Sequence, residues 1–160
     1  MAALLPLAAR PLGKREPCFE NSVYMSDESA SRPVKKILVV DDDENFLKAQ
    51  SENLQGAGYQ VVTALDGAQA VAAARKDNPD LILLDINLPP AVDGVPWDGF
   101  RIMDWFHRLD PEKRVPIIVI TGSVELKNKE RATSSGAIAY FHKPFDQDDL
   151  LQMIRTVLGG

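Results

Sequence analysis

The sequence predicts an α/β domain in which five βα units surround a parallel sheet. Three observations point there. Beyond Pro33, short runs of Val, Ile and Leu alternate five times with amphipathic stretches of helical length. The runs are continuously apolar, as in strands buried on both faces. The residues that close them are polar or charged, as expected where a parallel sheet presents a binding rim at the carboxyl ends of its strands.

Taken in order, the first strand is Lys36–Val40, and the first helix is Glu44–Ala57, which Gly56 and Gly58 can close. The second unit pairs a strand at Tyr59–Thr63 with a helix at Gly67–Lys76, where Asp66 and Gln69 have capping-box spacing. The third strand is Leu81–Leu84. Its helix is placed at Gly99–Leu109, because Pro96 is tolerated only at a helix start and Phe100, Met103 and Phe106 recur at helical spacing. The fourth unit is Val115–Ile120 with Val124–Ser135. The fifth is Ala137–Phe141 with Gln147–Leu158, for which Asp146 is a suitable cap.

A chain of 160 residues with 45% hydrophobic content can build one domain with a full core. The net charge of −5, with basic residues scattered singly or in pairs, argues against a nucleic-acid partner, which needs clustered Lys and Arg. One cysteine, Cys18, and two histidines, His107 and His142, provide neither an internal disulfide nor zinc-type spacing. No apolar run reaches the roughly 18 residues that span a bilayer, and the opening segment lacks a basic region and is broken by Pro6, so neither a membrane nor secretion is expected. A cytoplasmic location follows. Residues 1–34 mix Pro, Ser, Ala, Arg and Glu without period and read as a disordered extension ahead of a domain at 35–160. Met25, just before Ser-Asp-Glu-Ser-Ala-Ser, offers an alternative start of translation.

The rim residues are informative as a set. Strand one ends in Asp41-Asp42, strand three in Asp85, strand four in Thr121-Gly122 and strand five in Lys143-Pro144. Carboxylates gathered from neighbouring strands repel, which calls for a cation or a raised pKa. Mg²⁺ is the natural partner, because it prefers oxygen ligands and combines one or two carboxylates with phosphate oxygens. A carboxylate can also attack phosphorus to form an aspartyl phosphate. Asp85, alone at a central strand end, is the candidate nucleophile. Lys143 can neutralise charge on a moving phosphoryl group, and the Thr121 hydroxyl can reach its oxygens.

The ordered series Ile37-Leu-Val-Val-Asp-Asp, Leu84-Asp85-Ile-Asn-Leu-Pro89, Ile120-Thr121-Gly122 and Tyr140-Phe-His-Lys143-Pro144-Phe145 resembles the response-regulator receiver family of two-component signalling, over about Lys35 to Leu158. The resemblance implies a flavodoxin-like, doubly wound (βα)5 fold with strand order 2-1-3-4-5. It implies Mg²⁺ held by Asp41, Asp42, Asp85 and the Asn87 main-chain carbonyl, with Asp42 favoured over Asp41 as a direct ligand and Asp43 an additional carboxylate. It further implies phosphorylation of Asp85, phosphoryl binding by Lys143 and Thr121, a switch pair of Thr121 and Tyr140, and a cis peptide bond before Pro144. Partners implied are a sensor histidine kinase or a histidine phosphotransfer protein, and a downstream protein met through the face of helix 4, strand 5 and helix 5. With the last helix ending near Leu158, no output domain is expected.

One departure lies beside Asp85. Residues 90–97, with a second Asp93-Gly94 and Trp97, lengthen the turn that precedes Asp98-Gly99. This loop is expected to shield an acyl phosphate or contact a partner.

Plainer readings compete with each residue taken singly. Asp41 to Asp43 can cap a helix, Thr121 or Ser123 can do the same, Lys143-Pro144 can be a turn, and Tyr140 and Trp105 can be packing. His107 and His142 read as ordinary helix-surface and strand residues. Lys127, Lys129 and Arg131 read either as a solvated face or as part of a partner surface. Three other functions compete. A dehalogenase-type hydrolase needs a second Asp where Asn87 stands, and a nucleotide or flavin site lacks its glycine-rich loop after strand one. A receiver-like interaction domain that works without phosphorylation is the remaining alternative.

Overall fold

The computed structural model describes residues 33–89 and 98–159. The extension through residue 32, with Cys18 and Met25, and the 90–97 loop with Trp97 lie outside the described residues.

Among the described residues, five strands and five helices alternate strictly. They run β1 (Lys36–Val40), α1 (Glu44–Gly56), β2 (Gln60–Ala64), α2 (Gly67–Asp77), β3 (Leu81–Leu84), α3 (Gly99–Leu109), β4 (Ile117–Thr121), α4 (Leu126–Ser134), β5 (Ala139–His142) and α5 (Gln147–Leu158). All pairings are parallel and the order is β2-β1-β3-β4-β5. The sheet is thus the doubly wound arrangement expected from the sequence.

Successive side chains of a strand point to opposite faces, so each continuous apolar run feeds two cores at once. Leu38, Val40, Ile82, Leu84, Ile117 and Val119 pack on one face with Ala74 of α2, Met103 and Phe106 of α3 and Ala132 of α4. Ile37, Val39, Leu81, Leu83, Ile118 and Ile120 pack on the other with Leu47 and Leu54 of α1 and Leu150 and Ile154 of α5. These strand residues are almost wholly removed from water, which at about 25 cal/mol per Å² is the main stabilising contribution.

The helix ends explain most small shifts from the expected boundaries. Asp66 accepts from the Gln69 N–H at 2.8 Å, but the Gln69 amide oxygen accepts from the Leu65 N–H rather than from Asp66, so the box is offset by one residue. α1 is closed by Gly58, whose φ of +94° places it in the left-handed region, whereas Gly56 is simply the last helical residue. α2 ends on Asn78 with φ 47°, a left-handed cap in which asparagine takes the place usual for glycine. β4 starts at Ile117, two residues late, because Pro116 has no N–H to give the ladder. α4 starts at Leu126 rather than Val124, after a cap residue, Glu125, that makes no side-chain bond.

Candidate functional site

Strand order reverses at β1, which has β2 on one side and β3 on the other, and the ends of β1 and β3 form the crevice where open α/β sheets take their ligands. Asp41 and Asp85 stand at those ends. Ladder bonds running past the strands hold them: the Asp41 N–H donates to the Ala64 carbonyl at 3.1 Å and the Asp85 N–H to the Val40 carbonyl at 2.9 Å. Lys143 is fixed in the same way, its N–H donating to the Thr121 carbonyl at 2.8 Å. Three residues far apart in the chain are therefore set by sheet geometry rather than by loops.

Their side chains meet. Lys143 Nζ donates to Asp41 Oδ2 and lies 3.4 Å from Asp85 Oδ2. Asp41 is 1% exposed, Asp85 6%, and the Lys143 side chain 25%, so the ammonium closes the site toward solvent. The second oxygens of both carboxylates are held by local N–H groups, Asp41 Oδ1 by Asp43 at 2.9 Å and Asp85 Oδ1 by Asn87 at 2.8 Å. Asp42 is exposed, and one carboxylate oxygen from each of Asp41, Asp42 and Asp85 falls within a 4.8 Å cluster. Asp43 is not part of it. Its carboxylate caps α1, accepting from the N–H groups of Asn45 and Phe46, which is the plain reading of that residue.

Burial pushes the Asp41 carboxyl above the ordinary aspartate value. The hydrogen bonds from Lys143 and the Asp43 N–H pull it down, and the Asp85 charge adds to the rise. For Lys143, burial alone would lower the pKa, but the hydrogen bond to Asp41 and the charges of Asp41 and Asp85 raise it. One ammonium thus faces three carboxylates. That imbalance, with donors that are all hard oxygens, suits a divalent cation of the Mg²⁺ type.

Thr121 is completely buried at the end of β4. Its Oγ1 accepts from the Asn87 side-chain amide at 2.8 Å and from the Ser123 N–H at 3.2 Å. The Tyr140 hydroxyl donates to the Ser123 carbonyl at 3.0 Å, and burial, followed by the Asp85 charge, raises its pKa. A hydrogen-bonded path therefore runs from the Asp85 loop through Asn87, Thr121 and Ser123 to Tyr140 on β5. The Lys143–Pro144 peptide bond is cis.

A model of the response regulator receiver domain matches residues 37–155. The chain belongs to the response regulator receiver family. Among curated relatives, this receiver chain is 35% identical over 123 residues to the DNA-binding dual master transcriptional regulator RpaA of Synechocystis sp., covering 77% of the chain and 48% of that protein. It is 29% identical to the polar-differentiation response regulator DivK of Brucella anthropi, covering 78% of the chain and 97% of DivK. It thus spans about half the length of RpaA and nearly all of DivK. Among solved structures, a CheY-like receiver domain protein from Methanospirillum hungatei JF-1 superposes with a TM-score of 0.71 at 31% identity, over 79% of this chain and 95% of that one. Chemotaxis protein CheY4 of Vibrio cholerae gives 0.69 at 33% identity, over 78% and 99%.

Two features of this receiver had no sequence signal. Arg131, expected on either a solvated face or a partner surface, lies 3.7 Å from Asp98 and stacks over the Phe100 ring at 4.1 Å, tying α4 to the start of α3. Phe46 places its ring centre 4.0 Å from Lys143 Nζ. Neither contact is short in sequence, so only the fold brings the partners together. Among the described residues, no helix is long and apolar enough to cross a membrane.

Proposed function

We propose that this receiver domain is a cytoplasmic phosphoacceptor of a two-component phosphorelay, taking a phosphoryl group onto Asp85 from a phosphohistidine of a sensor kinase or phosphotransfer protein. The observation that carries this reading is the meeting of Lys143 with Asp41 and Asp85 at the topological switch point, with Asp42 completing an all-oxygen cluster.

Asp85 Oδ1 is occupied by the Asn87 N–H, which leaves Oδ2 as the nucleophile. Oδ2 attacks phosphorus, the P–N bond to the donor imidazole breaks as the P–O bond forms, and the imidazole leaves with the bonding electron pair. Lys143, released from its carboxylate contacts, donates to the transferred phosphoryl oxygens. Thr121 already accepts two hydrogen bonds, so its own hydroxyl hydrogen is what remains to be given, and a new phosphoryl oxygen is the matching acceptor. Asp41, Asp42, Asp85 and the Asn87 main-chain carbonyl would hold Mg²⁺. Bound there, Mg²⁺ supplies charge neutralisation on the phosphoryl oxygens.

A change at Thr121 is passed to the Ser123 segment and to Tyr140 by the hydrogen bonds between them. This is a local charge event biasing a surface. The surface is the face of α4, β5 and α5, where Val124 and Leu126 are exposed apolar side chains beside Tyr140 and Lys129. A downstream protein is its proposed occupant.

Intact mass after incubation with acetyl phosphate tests the reading. One phosphoryl increment is expected, dependent on Mg²⁺ and absent in Asp85→Asn. No increment with acetyl phosphate or with a phosphohistidine donor would leave the chain as a receiver-like interaction domain that works without phosphorylation.

A further inference from the structure

We propose that Phe46 is a positioning residue that keeps the Lys143 ammonium at the acidic rim while its carboxylate partners are engaged by a cation and a phosphoryl group. The inference rests on the phosphoacceptor reading above.

Phe46 lies in the first turn of α1, half-buried, its N–H bound by the Asp43 cap at 3.3 Å. Lys143 Nζ sits 4.0 Å from the centre of its ring. The ring's orientation is set from the other side of the site. Phe145 meets it edge-on, with centroids 6.3 Å apart at 77°, and Phe141 packs against Phe145 at 5.9 Å and 67°. Phe141 and Phe145 flank Lys143 in sequence at equal distance. The segment that delivers the ammonium therefore also orients the aromatic face that receives it.

The three contacts of the ammonium differ in what they use. Asp41 Oδ2 and Asp85 Oδ2 belong to the carboxylate cluster, so a cation bound among these oxygens, or a phosphoryl group on Asp85, competes with Lys143 for both. The Phe46 face is outside that competition. A ring quadrupole attracts a cation without supplying a hydrogen-bond acceptor, so the ammonium stays near the site with its three donors free to turn toward phosphoryl oxygens. An aliphatic side chain of similar bulk fills the same space but has no such face.

The test compares wild type with Phe46→Leu and Phe46→Tyr, each first checked for cooperative unfolding. In metal-free protein, the Lys143 side-chain methylene resonances are assigned by their loss in Lys143→Gln. They should be displaced upfield by the ring current in wild type and Phe46→Tyr, and not in Phe46→Leu. With Mg²⁺ and acetyl phosphate, the initial phosphorylation rate should fall about 3- to 30-fold in Phe46→Leu, the range of a cation–π contact, and be restored in Phe46→Tyr. Ordinary Lys143 shifts in wild type, an undiminished rate in Phe46→Leu, or a failure of Phe46→Tyr to restore the rate would each overturn the proposal. A wild-type protein that takes no phosphoryl group yet keeps the displaced resonances would instead overturn the phosphoacceptor reading and remove the role while leaving the contact, so the two failures are distinguishable.

Discussion

Replacing Gly99 with alanine should destabilise the domain by about 2–3 kcal/mol, and the reason lies beside Asp85. Gly99 opens α3, and its N–H donates to the Ile86 carbonyl at 3.2 Å. A Cβ at this position would stand 2.3 Å from Ile86 Cα, 3.0 Å from the Asp85 carbonyl oxygen and 3.0 Å from Ile86 Cβ. Carbon atoms pack best at about 3.5–4.0 Å, so more than about 1 Å of separation must be found. The obstructing atoms are mostly backbone, so no rotamer change relieves them. Either α3 moves and draws its own Ile102, Met103 and Phe106 out of their core packing, or the Asp85–Ile86 segment moves away from Lys143. Overpacking costs about 1–3 kcal/mol, and with backbone as the obstacle this site falls at the upper end, about 3 kcal/mol. The better helix propensity of alanine offsets at most about 1 kcal/mol, which leaves about 2–3 kcal/mol. With a urea slope of about 1–3 kcal/mol/M, the midpoint should drop by about 1 M or more. Gly122→Ala is the control. No atom lies within 4 Å of its Cβ position, and its φ is not in the left-handed region, so a change within about 0.5 kcal/mol is expected. A Gly99→Ala midpoint within about 0.3 M of wild type would refute the close approach of α3 to the Asp85 backbone.

Three further outcomes are expected. Mg²⁺ should raise the melting temperature by mass action, contributing about 2.7 kcal/mol at a hundredfold excess over Kd, and Asp42→Asn should weaken that response; a scanning-calorimetry titration in which both proteins respond alike would count against the cluster. Because burial raises the Asp41 pKa in the folded state, its ionisation favours the unfolded chain. The contribution of Asp41 to metal-free stability is therefore full below the ordinary value of 3.8 and is lost as pH rises through the folded value. Urea midpoints of wild type should fall relative to Asp41→Asn as pH is raised across that window, and a constant difference would contradict it. Tyr140→Phe removes the hydroxyl bond to the Ser123 carbonyl and should cost about 0.5–1.5 kcal/mol in urea denaturation while phosphorylation persists, so loss of phosphorylation would place Tyr140 in the chemistry rather than in its transmission.

Much of this protein was legible as pattern. Continuous apolar runs can be satisfied only by burial on both faces, so the βα alternation and the strand positions follow from composition and period. Boundaries slipped by one or two residues where hydrogen bonding rather than hydropathy decides them, as at Pro116 and at the start of α4. The rim residues were visible because each ends an apolar run, a local property of the chain.

Which of those residues act on one another was not local. Asp41 and Lys143 are 102 positions apart, and only the sheet order β2-β1-β3-β4-β5 makes them partners. The separation of Asp41, buried in the cluster, from Asp43, which merely caps α1, also depends on the fold, because adjacent aspartates differ in sequence by nothing that sets their direction. The same holds for Phe46 beneath the ammonium and Arg131 over Phe100. Periodicity specifies which face of an element is buried. Side-chain contact depends on the packing of elements distant in the chain, so it was the tertiary structure that decided which carboxylates, which lysine and which aromatic face share one site.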